Sequence, residues 1–199
     1  MENRQIIIAL GREFGSCGHI IAEDLAKRFN LAMYDSNILK NIAELKDLNL
    51  KELEKYDEIP KSKLFSRRVN GYSNSPEENI AQIQFDYIRK KAESGESFII
   101  VGRCAEEILK DFDCLTTVFV LGDMDKKIEH ISEIFNLPAK DAEAMILKNN
   151  KKRKAYHNHY CKGKWGDSRN YELSINSSRI GVKAAADIIE SYIREKIKD

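Results

Sequence analysis

The stretch that decides the fold is Gln5–Phe29, which reads QIIIALGREFGSCGHIIAEDLAKRF. Its first part, Ile6–Leu10, is an apolar run rich in β-branched residues and predicts a strand buried on both faces. The glycine-containing turn Gly11–Gly18 follows, and apolar residues then recur at helical spacing. Strand, glycine turn and helix in this order are typical of a phosphate-binding loop. Glycines let successive backbone N–H groups point at an anion near the positive end of the helix dipole.

The turn departs from the common phosphate-loop pattern G-x-x-x-x-G-K-[ST]. His19 stands where a lysine is expected after Gly18, and no Ser or Thr follows closely. Six residues separate Gly11 from Gly18, where the pattern has four. From the turn alone, two interpretations stay open: a phosphate site, and a tight turn between strand and helix whose glycines serve only packing.

The composition excludes several classes of protein. Lys and Arg total 33 against 32 Asp and Glu, so the net charge of +1 gives no reason to expect nucleic acid or a membrane as partner. The first apolar run is too short for a signal sequence or a membrane span, and we expect a cytoplasmic protein. The four cysteines form no C-x-x-C pair, which argues against a metal site and a disulfide framework.

Further apolar segments predict strands that alternate with helical patterns. These segments are Leu31–Asp35, Ser97–Val101, Thr117–Leu121 and Tyr171–Ile175. Alternation at this spacing predicts an α/β fold with a parallel sheet and right-handed crossovers, and 199 residues suit a single domain over 1–199. The charged segment 36–75 is the least core-like part and is predicted as a helical excursion with a loose loop. There, Arg67 and Arg68 are either contacts to an anion or a solvated pair.

Two polar residues come at the carboxyl ends of predicted strands. Asp35 ends the second strand and Arg103 follows the third. Ligands of open α/β sheets lie at this edge, so Asp35 is expected to face the same crevice as the glycine turn. Alternatively, Asp35 caps the helix predicted over Ser36–Leu45.

The segment Lys148–Lys164 holds seven basic residues and no acid, with tyrosines and histidines between them. Basic side chains at helical spacing, followed by a glycine-containing turn, predict a lid that closes over phosphates. A solvated helix face is one alternative. Binding of single-stranded RNA is another, because basic and aromatic residues are mixed. Seventeen residues without an acid, in a chain that is otherwise balanced, favour anion binding.

Four stretches spread over nearly the full length resemble the cytidylate kinase-like family of P-loop nucleoside monophosphate kinases. They read GREFGSCGHIIAEDLAKRF, MYDSNIL, IIVGRCAEEIL and KKRKAYHNHYCKGKWGDSRNYELSINSSRIG. The last stretch is the most specific, because it joins a tyrosine-rich basic run to W-G-D and to N-Y-x-L-x-I-N-x-S. The resemblance implies a three-layer P-loop fold with a five-stranded parallel sheet flanked by helices. It also implies a helical lid at about 148–168.

The resemblance also implies roles for individual residues. ATP with Mg²⁺ would lie on the glycine turn, with the nucleotide bound by Gly15, Ser16, Cys17, Gly18, His19 and Ile20. An acceptor would be held by Arg12, Asp35 and Arg103. Catalysis would be supported by Lys152 and Arg153, the cations of the lid, and by His19. This division of labour suits phosphoryl transfer, in which positioning and charge stabilisation do most of the work.

Four residues depart from the family pattern. Cys17 replaces a glycine, His19 replaces a cation and Cys104 replaces the acid of a G-R-D motif. Val101 stands where an acid beside the metal is expected. Consequently no protein ligand for a metal is evident, and Mg²⁺ would depend on the Ser16 hydroxyl and on water.

We therefore expect an ATP-dependent phosphotransferase that acts on a nucleoside monophosphate (CMP-like) or a similar small acceptor. A nucleotide- or phosphate-binding protein with the kinase fold and little activity is the alternative, since the lysine, hydroxyl and acid are missing. An RNA-binding module is a third hypothesis, against which the overall neutrality argues. The sequence does not decide whether the chain forms a homo-oligomer.

Overall fold

The computed structural model describes residues 4–46, 49–55, 57, 68–69, 72–73 and 75–198. Its strands in chain order are β1 (Ile7–Arg12), β2 (Ala32–Tyr34), β3 (Arg68–Val69), β4 (Tyr72–Ser73), β5 (Phe98–Val101), β6 (Leu115–Leu121) and β7 (Leu173–Asn176). A five-stranded sheet has the order β2-β5-β1-β6-β7, and every neighbouring pair in it is parallel. The predicted five-stranded parallel sheet is thereby confirmed. The strands β3 and β4 form a separate antiparallel hairpin.

The helices of the described residues lie on both faces of this sheet. In chain order they are α1 (Gly18–Phe29), α2 (Ile38–Lys46), α3 (Leu50–Glu54), α4 (Pro76–Glu93), α5 (Ala105–Ile108), α6 (Met124–Phe135), α7 (Ala139–Tyr160) and α8 (Ser177–Lys196). A 3-10 turn covers Ser168–Asn170. None of these helices combines the length and the apolar composition that a bilayer-spanning helix requires.

The sheet is the middle of three layers, because the side chains of its central strands alternate between two faces that are each covered by helices. Ile7 and Ala9 of β1 belong to one core cluster, which includes apolar residues of α2, α4 and α5. Ile8 and Leu10 belong to another, which includes apolar residues of α1 and α8. Successive side chains of a strand point to opposite faces, so an uninterrupted apolar strand is buried on both sides. The prediction of a doubly buried strand over Ile6–Leu10 is confirmed for Ile7–Leu10, whereas Ile6 precedes β1 and is half-buried.

The last helix, α8, starts at Ser177, where the Asn176 side chain accepts a hydrogen bond from the Ser178 N–H. Gly181 is a kink inside it, with φ of 81°. Within the predicted excursion 36–75, α2 and α3 are helical as expected. Arg67 and the side chain of Arg68 lie outside the described residues, so their predicted contact to an anion stays a prediction.

The predicted lid at 148–168 is partly a continuation of a longer helix. Its first thirteen residues are the C-terminal part of α7, which begins at Ala139. Tyr156, His157 and Cys161 are buried, and Tyr156 and Cys161 pack in a cluster with Ala81 of α4. The alternative interpretation, a solvated helix face, therefore describes the exposed lysines in the α7 part of this segment but not these buried positions; those exposed lysines are Lys148, Lys151, Lys152 and Lys154. Whether the segment moves on ligand binding stays a prediction.

Candidate active site

The glycine turn forms a loop between β1 and α1 in which two residues have left-handed backbone conformations. Gly15 has φ of 84°, and Cys17, the N-cap of α1, has φ of 56°. A non-glycine residue in this region is unusual because its Cβ approaches the following carbonyl. Cys17 replaces a glycine of the family pattern, but its backbone keeps the left-handed conformation that favours glycine. Burial raises the pKa of the Cys17 thiol, which keeps it in the neutral form.

The loop is fixed from behind by hydrogen bonds of two serine side chains. The buried Ser16 hydroxyl lies 2.9 Å from the carbonyl oxygen of Glu13 and 3.1 Å from that of Val120. The Ser177 hydroxyl, at the start of α8, lies 2.7 Å from the Ser16 carbonyl oxygen. The Ser16 hydroxyl thus points into the protein and does not line the cleft in front of the loop. A contact from this hydroxyl to Mg²⁺, as the sequence suggested, requires its rotation.

A buried ion pair also lies behind the loop. Lys127 of α6 is 4 % exposed, and its Nζ lies 2.6 Å from Glu13 Oε2. The same carboxylate oxygen accepts a hydrogen bond from the Gly122 N–H at 3.2 Å. A Cβ built on Gly15 would lie 3.1 Å from Lys127 Cβ, so the lysine stem packs directly against the loop. Lys127 does not line the cleft, and it supports the loop without replacing the missing phosphate-loop lysine.

In front of the loop is an open cleft of about 480 Å³. It is lined by all but two of the residues that the sequence assigned to the site, namely Arg12, Gly15, Cys17, Gly18, His19, Ile20, Asp35, Arg103 and Arg153. The two exceptions are Ser16, which is buried, and Lys152, which is exposed on α7. The structure therefore gathers residues of β1, α1 and α7, and residues that follow β2 and β5, at the carboxyl edge of the sheet. It does not bring Lys152 to the cleft.

The lid helix α7 contacts the loop directly. Asn150 Oδ1 accepts a hydrogen bond of 2.7 Å from the Phe14 N–H. Arg153 Nη1 lies 3.4 Å from the Arg12 carbonyl oxygen, and its guanidinium sits 5.4 Å from the centre of the Phe14 ring. A cation over an aromatic face is attracted by the ring quadrupole. Arg153 is thus held at the cleft by the loop, while its neighbour Lys152 faces solvent.

Arg103 lies at the cleft but is engaged by an acid that the sequence did not single out. Its Nη1 lies 2.5 Å from Asp57 Oδ1 and its Nη2 lies 2.9 Å from Asp57 Oδ2. Gln84 of α4 donates a further hydrogen bond to Asp57 Oδ1 at 3.1 Å. Arg103 is 4 % exposed and has φ of 61°, and the next residue, Cys104, has φ of 57°. Two consecutive non-glycine residues in this strained region are typical of functional sites.

The side chains of His19 and Asp35 lie next to each other in the lining of the cleft. The imidazole Nδ1 lies 3.7 Å from Asp35 Oδ2, and Nε2 lies 3.3 Å from Glu23 Oε1. Asp35 Oδ1 accepts a hydrogen bond of 2.8 Å from the Asn37 N–H, just before α2 begins. Both interpretations of Asp35 are therefore correct in part, because it lines the cleft and also holds the turn into α2.

An apolar wall on the loop side of the cleft was missed by the sequence analysis. Phe14 and Phe135 stack with ring centres 6.5 Å apart, and Ile131 and Ile134 lie beside them. Phe135 and Ile134 are about half exposed. Such a wall suits the flat apolar face of a base or another ring.

The C-terminal end of α7 is anchored by a third buried pair. His157 Nε2 lies 2.7 Å from Glu106 Oε1, a residue of α5. Burial alone would lower the pKa of His157, but hydrogen bonds with Cys161 and Glu106 outweigh it and raise that pKa to about 10. A small cavity connects this pair with Arg12, Arg103 and Arg153. The end of α7 is therefore tied to the edge of the sheet where the cleft lies.

Comparison with known proteins places this arrangement in a family. A sequence model described as "Cytidylate kinase-like family" matches residues 7–179. The chain belongs to the cytidylate kinase-like family. No curated protein matches it at a significant level. The resemblance noted in the sequence is thus confirmed over most of the length of this family member.

Solved structures support the same fold. An uncharacterized protein from Eubacterium ventriosum is 41 % identical, with a TM-score of 0.77, and the match covers 96 % of this chain and 99 % of that one. Shikimate kinase from Bacteroides thetaiotaomicron has 12 % identity, a TM-score of 0.56 and coverage of 95 % and 98 %. Shikimate kinase from Acinetobacter baumannii, in complex with shikimate, has 12 % identity, a TM-score of 0.53 and coverage of 96 % and 94 %. At 12 % identity, the two shikimate kinases share only the P-loop kinase fold with this chain.

Proposed function

We propose that this protein is an ATP-dependent phosphotransferase that transfers the γ-phosphate of ATP to a nucleoside monophosphate (CMP-like) or a similar small acceptor. The single observation that supports it most is the convergence of the loop, Arg12, Arg153 and Arg103 on one cleft. Family membership and the kinase fold add to this support. In the reaction an acceptor oxygen forms a bond to the γ-phosphorus, the bond from that phosphorus to the bridging oxygen breaks, and ADP leaves.

The residues of the cleft divide into a donor side and an acceptor side. On the donor side, backbone N–H groups of Gly15–His19 would bind the phosphates of ATP, with the base against Phe14 and Phe135. Arg12 and Arg153 would supply positive charge for the phosphoryl group in transfer. Bound Mg²⁺ would neutralise charge on the β- and γ-phosphates, and Asp35 offers a carboxylate to one of its waters.

On the acceptor side, Arg103 would hold the acceptor phosphate, as its position in the family pattern implies. In the structure this guanidinium is paired with Asp57. The acceptor phosphate would therefore exchange with the carboxylate of Asp57, taking over its bidentate contact. Arginine suits this task, because its planar fork matches both carboxylate and phosphate oxygens.

A nucleotide-binding protein with little transferase activity is the second candidate. Two observations favour it: the Ser16 hydroxyl points away from the cleft, and Arg103 is already engaged by Asp57. Such a protein would bind ATP through the same loop but would not position an acceptor. The two candidates therefore differ in turnover and not in ATP binding.

The purified protein with ATP and Mg²⁺ should be assayed against a panel of nucleoside monophosphates and small alcohols, together with two matched variants. Arg153→Ala removes the lid arginine at the cleft and should lower kcat by roughly a hundredfold, since a charged contact felt in the transition state is worth a few kcal/mol. Lys152→Ala removes the neighbouring exposed cation and should change kcat less than about twofold, because a screened surface charge contributes little.

The outcomes separate the two candidates. Wild-type turnover that drops only in Arg153→Ala supports the phosphotransferase. Equal losses in both variants would indicate a general effect of basic charge. ATP binding by calorimetry without transfer to any acceptor in the panel would replace the proposal by the binding protein.

A further inference from the structure

A compact group of three metal-ligating side chains lies where the end of α7 meets the start of α5. Their ligand atoms are a carboxylate oxygen of Glu106, a ring nitrogen of His157 and the sulfur of Cys161, all within 4.8 Å of one another. His157 is 5 % exposed and Cys161 is 9 % exposed. Nothing in the proposed transfer reaction uses this group. Its chemistry therefore calls for a separate explanation.

We propose that Glu106, His157 and Cys161 bind a transition-metal ion of the zinc class. Thiolate, imidazole and carboxylate are the three protein ligand types that Zn²⁺ takes, at about 2.0–2.3 Å. Around a tetrahedral ion with these bond lengths, ligand atoms lie roughly 3–4 Å apart, which is within the span of this group. The ion would enter between His157 Nε2 and Glu106 Oε1, now 2.7 Å apart, and would take the place of the proton that they share.

Surrounding groups already orient the ligands. His157 Nδ1 lies 3.4 Å from Asn158 Oδ1, an oxygen that also accepts a hydrogen bond from the Trp165 N–H. A proton on Nδ1 leaves Nε2 as the metal-binding nitrogen. Tyr171 donates its hydroxyl proton to Glu106 Oε1 at 3.2 Å. Metal-binding histidines and carboxylates usually have such outer partners, which fix the direction of the lone pairs.

Water would complete the tetrahedral coordination of the ion, as in sites with three protein ligands. Cys104 directly follows Arg103 in the left-handed corner after β5, and its side-chain hydrogen bond with Cys161 would act as an outer contact to the ligand sulfur. A thiolate and a carboxylate together neutralise a divalent cation, so the buried site would carry no net charge.

The metal would connect two parts of the molecule. His157 and Cys161 lie at the end of α7, whereas Glu106 belongs to α5, which follows the corner that contains Arg103. The bound ion would fix the lid end to the cleft edge at one point. The four cysteines lack C-x-x-C spacing, and the sequence therefore predicted no metal site. The ligands come together only because His157 and Cys161 are four residues apart at a helix end and Glu106 lies 51 residues before His157.

The test is a titration of the metal-free, reduced protein with Co²⁺, whose thiolate complexes absorb in the near ultraviolet. Wild type should bind one Co²⁺ per chain with a sulfur-to-cobalt band that Zn²⁺ removes by displacement. Cys161→Ser should lose this band and bind Zn²⁺ at least tenfold more weakly in competition with a chromophoric chelator. Cys114→Ser is the matched control, because Cys114 is half-buried and its thiol contacts Gln5 outside the group. This variant should behave as wild type.

Three outcomes of these titrations would overturn the proposal. If no sulfur-to-cobalt band develops, or if the band persists in Cys161→Ser, the group is an internal ion pair and not a metal site. Loss of the band in both variants would also overturn it, since the signal would not report Cys161. ATP binding, followed in parallel by calorimetry, depends on the loop and distinguishes failure of this proposal from failure of the proposed function.

Discussion

On the donor side of the cleft, Lys127 forms a buried ion pair with Glu13 behind the loop, and Lys127 itself does not line the cleft. On the acceptor side, the buried ion pair joins Asp57 to Arg103, the residue predicted to bind the acceptor. Both pairs are short and both involve a nearly inaccessible cation. One pair lies behind the loop that is proposed to bind phosphates, whereas the other includes the residue that is proposed to bind the acceptor.

This difference has a consequence for ligand binding. In the proposed reaction, phosphates would bind the donor side without any exchange of partners behind the loop. On the proposed acceptor side, Asp57 would have to release Arg103 before that guanidinium could hold an anion. A ligand shifts such an equilibrium only by as much as it binds the released state more tightly. The acceptor is therefore expected to bind more weakly than the contacts of Arg103 alone would suggest.

The largest effect should come from breaking the donor-side pair with Lys127→Met, which keeps the packing of the stem and removes the charge. Removing one partner of a buried pair leaves the other uncompensated and typically costs about 3–5 kcal/mol. Because Glu13 is partly exposed, we expect about 3 kcal/mol of lost unfolding free energy, together with weaker ATP binding. Urea denaturation and calorimetry measure the two quantities.

Lys126→Met is the control for this prediction. Lys126 is adjacent on α6, its side chain is 53 % exposed, and it pairs with Glu129 at the surface. We expect a change within about 0.5 kcal/mol, the usual range for surface substitutions. Equal effects of the two variants would contradict the distinction between a supporting pair and a surface pair.

An intermediate effect is expected from Asp57→Asn, which removes the negative charge that competes with the acceptor. The amide can still accept one hydrogen bond from Arg103, but it lacks the negative charge and the second acceptor oxygen of the bidentate pair. We expect KM for an anionic acceptor to fall about tenfold, equivalent to about 1.4 kcal/mol. Steady-state kinetics with the acceptor found in the panel, and calorimetry with CMP, provide the measurement.

Asp111→Asn is the matched control, since Asp111 is well exposed and lies 3.9 Å from Arg89 away from the cleft. It should leave KM unchanged. A rise in KM for Asp57→Asn would reverse the interpretation and make Asp57 a ligand of the acceptor, with Arg103 as its support.

The smallest effect is expected from Cys17→Gly in the loop. Glycine adopts the left-handed conformation without the penalty of about 1–2 kcal/mol that other residues carry. A more flexible unfolded chain offsets about 0.4–1 kcal/mol of this gain, so the unfolding free energy should change by less than about 1 kcal/mol. ATP affinity should stay within about threefold of wild type. A large loss of affinity would mean that the Cys17 side chain, and not only the backbone, contributes to the donor side.

The sequence predicted the sheet well because its signals are local. Ile6–Leu10 is apolar throughout, as a strand covered on both faces must be, and the glycine turn ends that strand within a few residues. The same local pattern predicted that Asp35 and Arg103 lie at the carboxyl edge of the sheet. The partners of the site residues could not be predicted in this way. Asp57 is 46 residues from Arg103, and Lys127 is 114 residues from Glu13.

The assignment of charged residues on the lid shows the same limit. Lys152 and Arg153 are adjacent and carry the same charge, so composition gives them equal weight. Only the orientation of α7, held by Asn150 on the loop and by His157 on Glu106, turns Arg153 to the cleft and leaves Lys152 in solvent. A helix advances by 100° per residue, and a small rotation decides which side chain faces the ligand.

By itself, the sequence determined the order of strands and helices, the family and the loop that faces the cleft, because each depends on neighbouring residues or on a pattern spread along the chain. The tertiary structure decided which charged side chains form ion pairs with one another inside the protein. It pairs Glu13 with Lys127, Asp57 with Arg103 and Glu106 with His157. Side chains distant in the chain meet only through packing, and a buried charge requires a partner that local sequence cannot name.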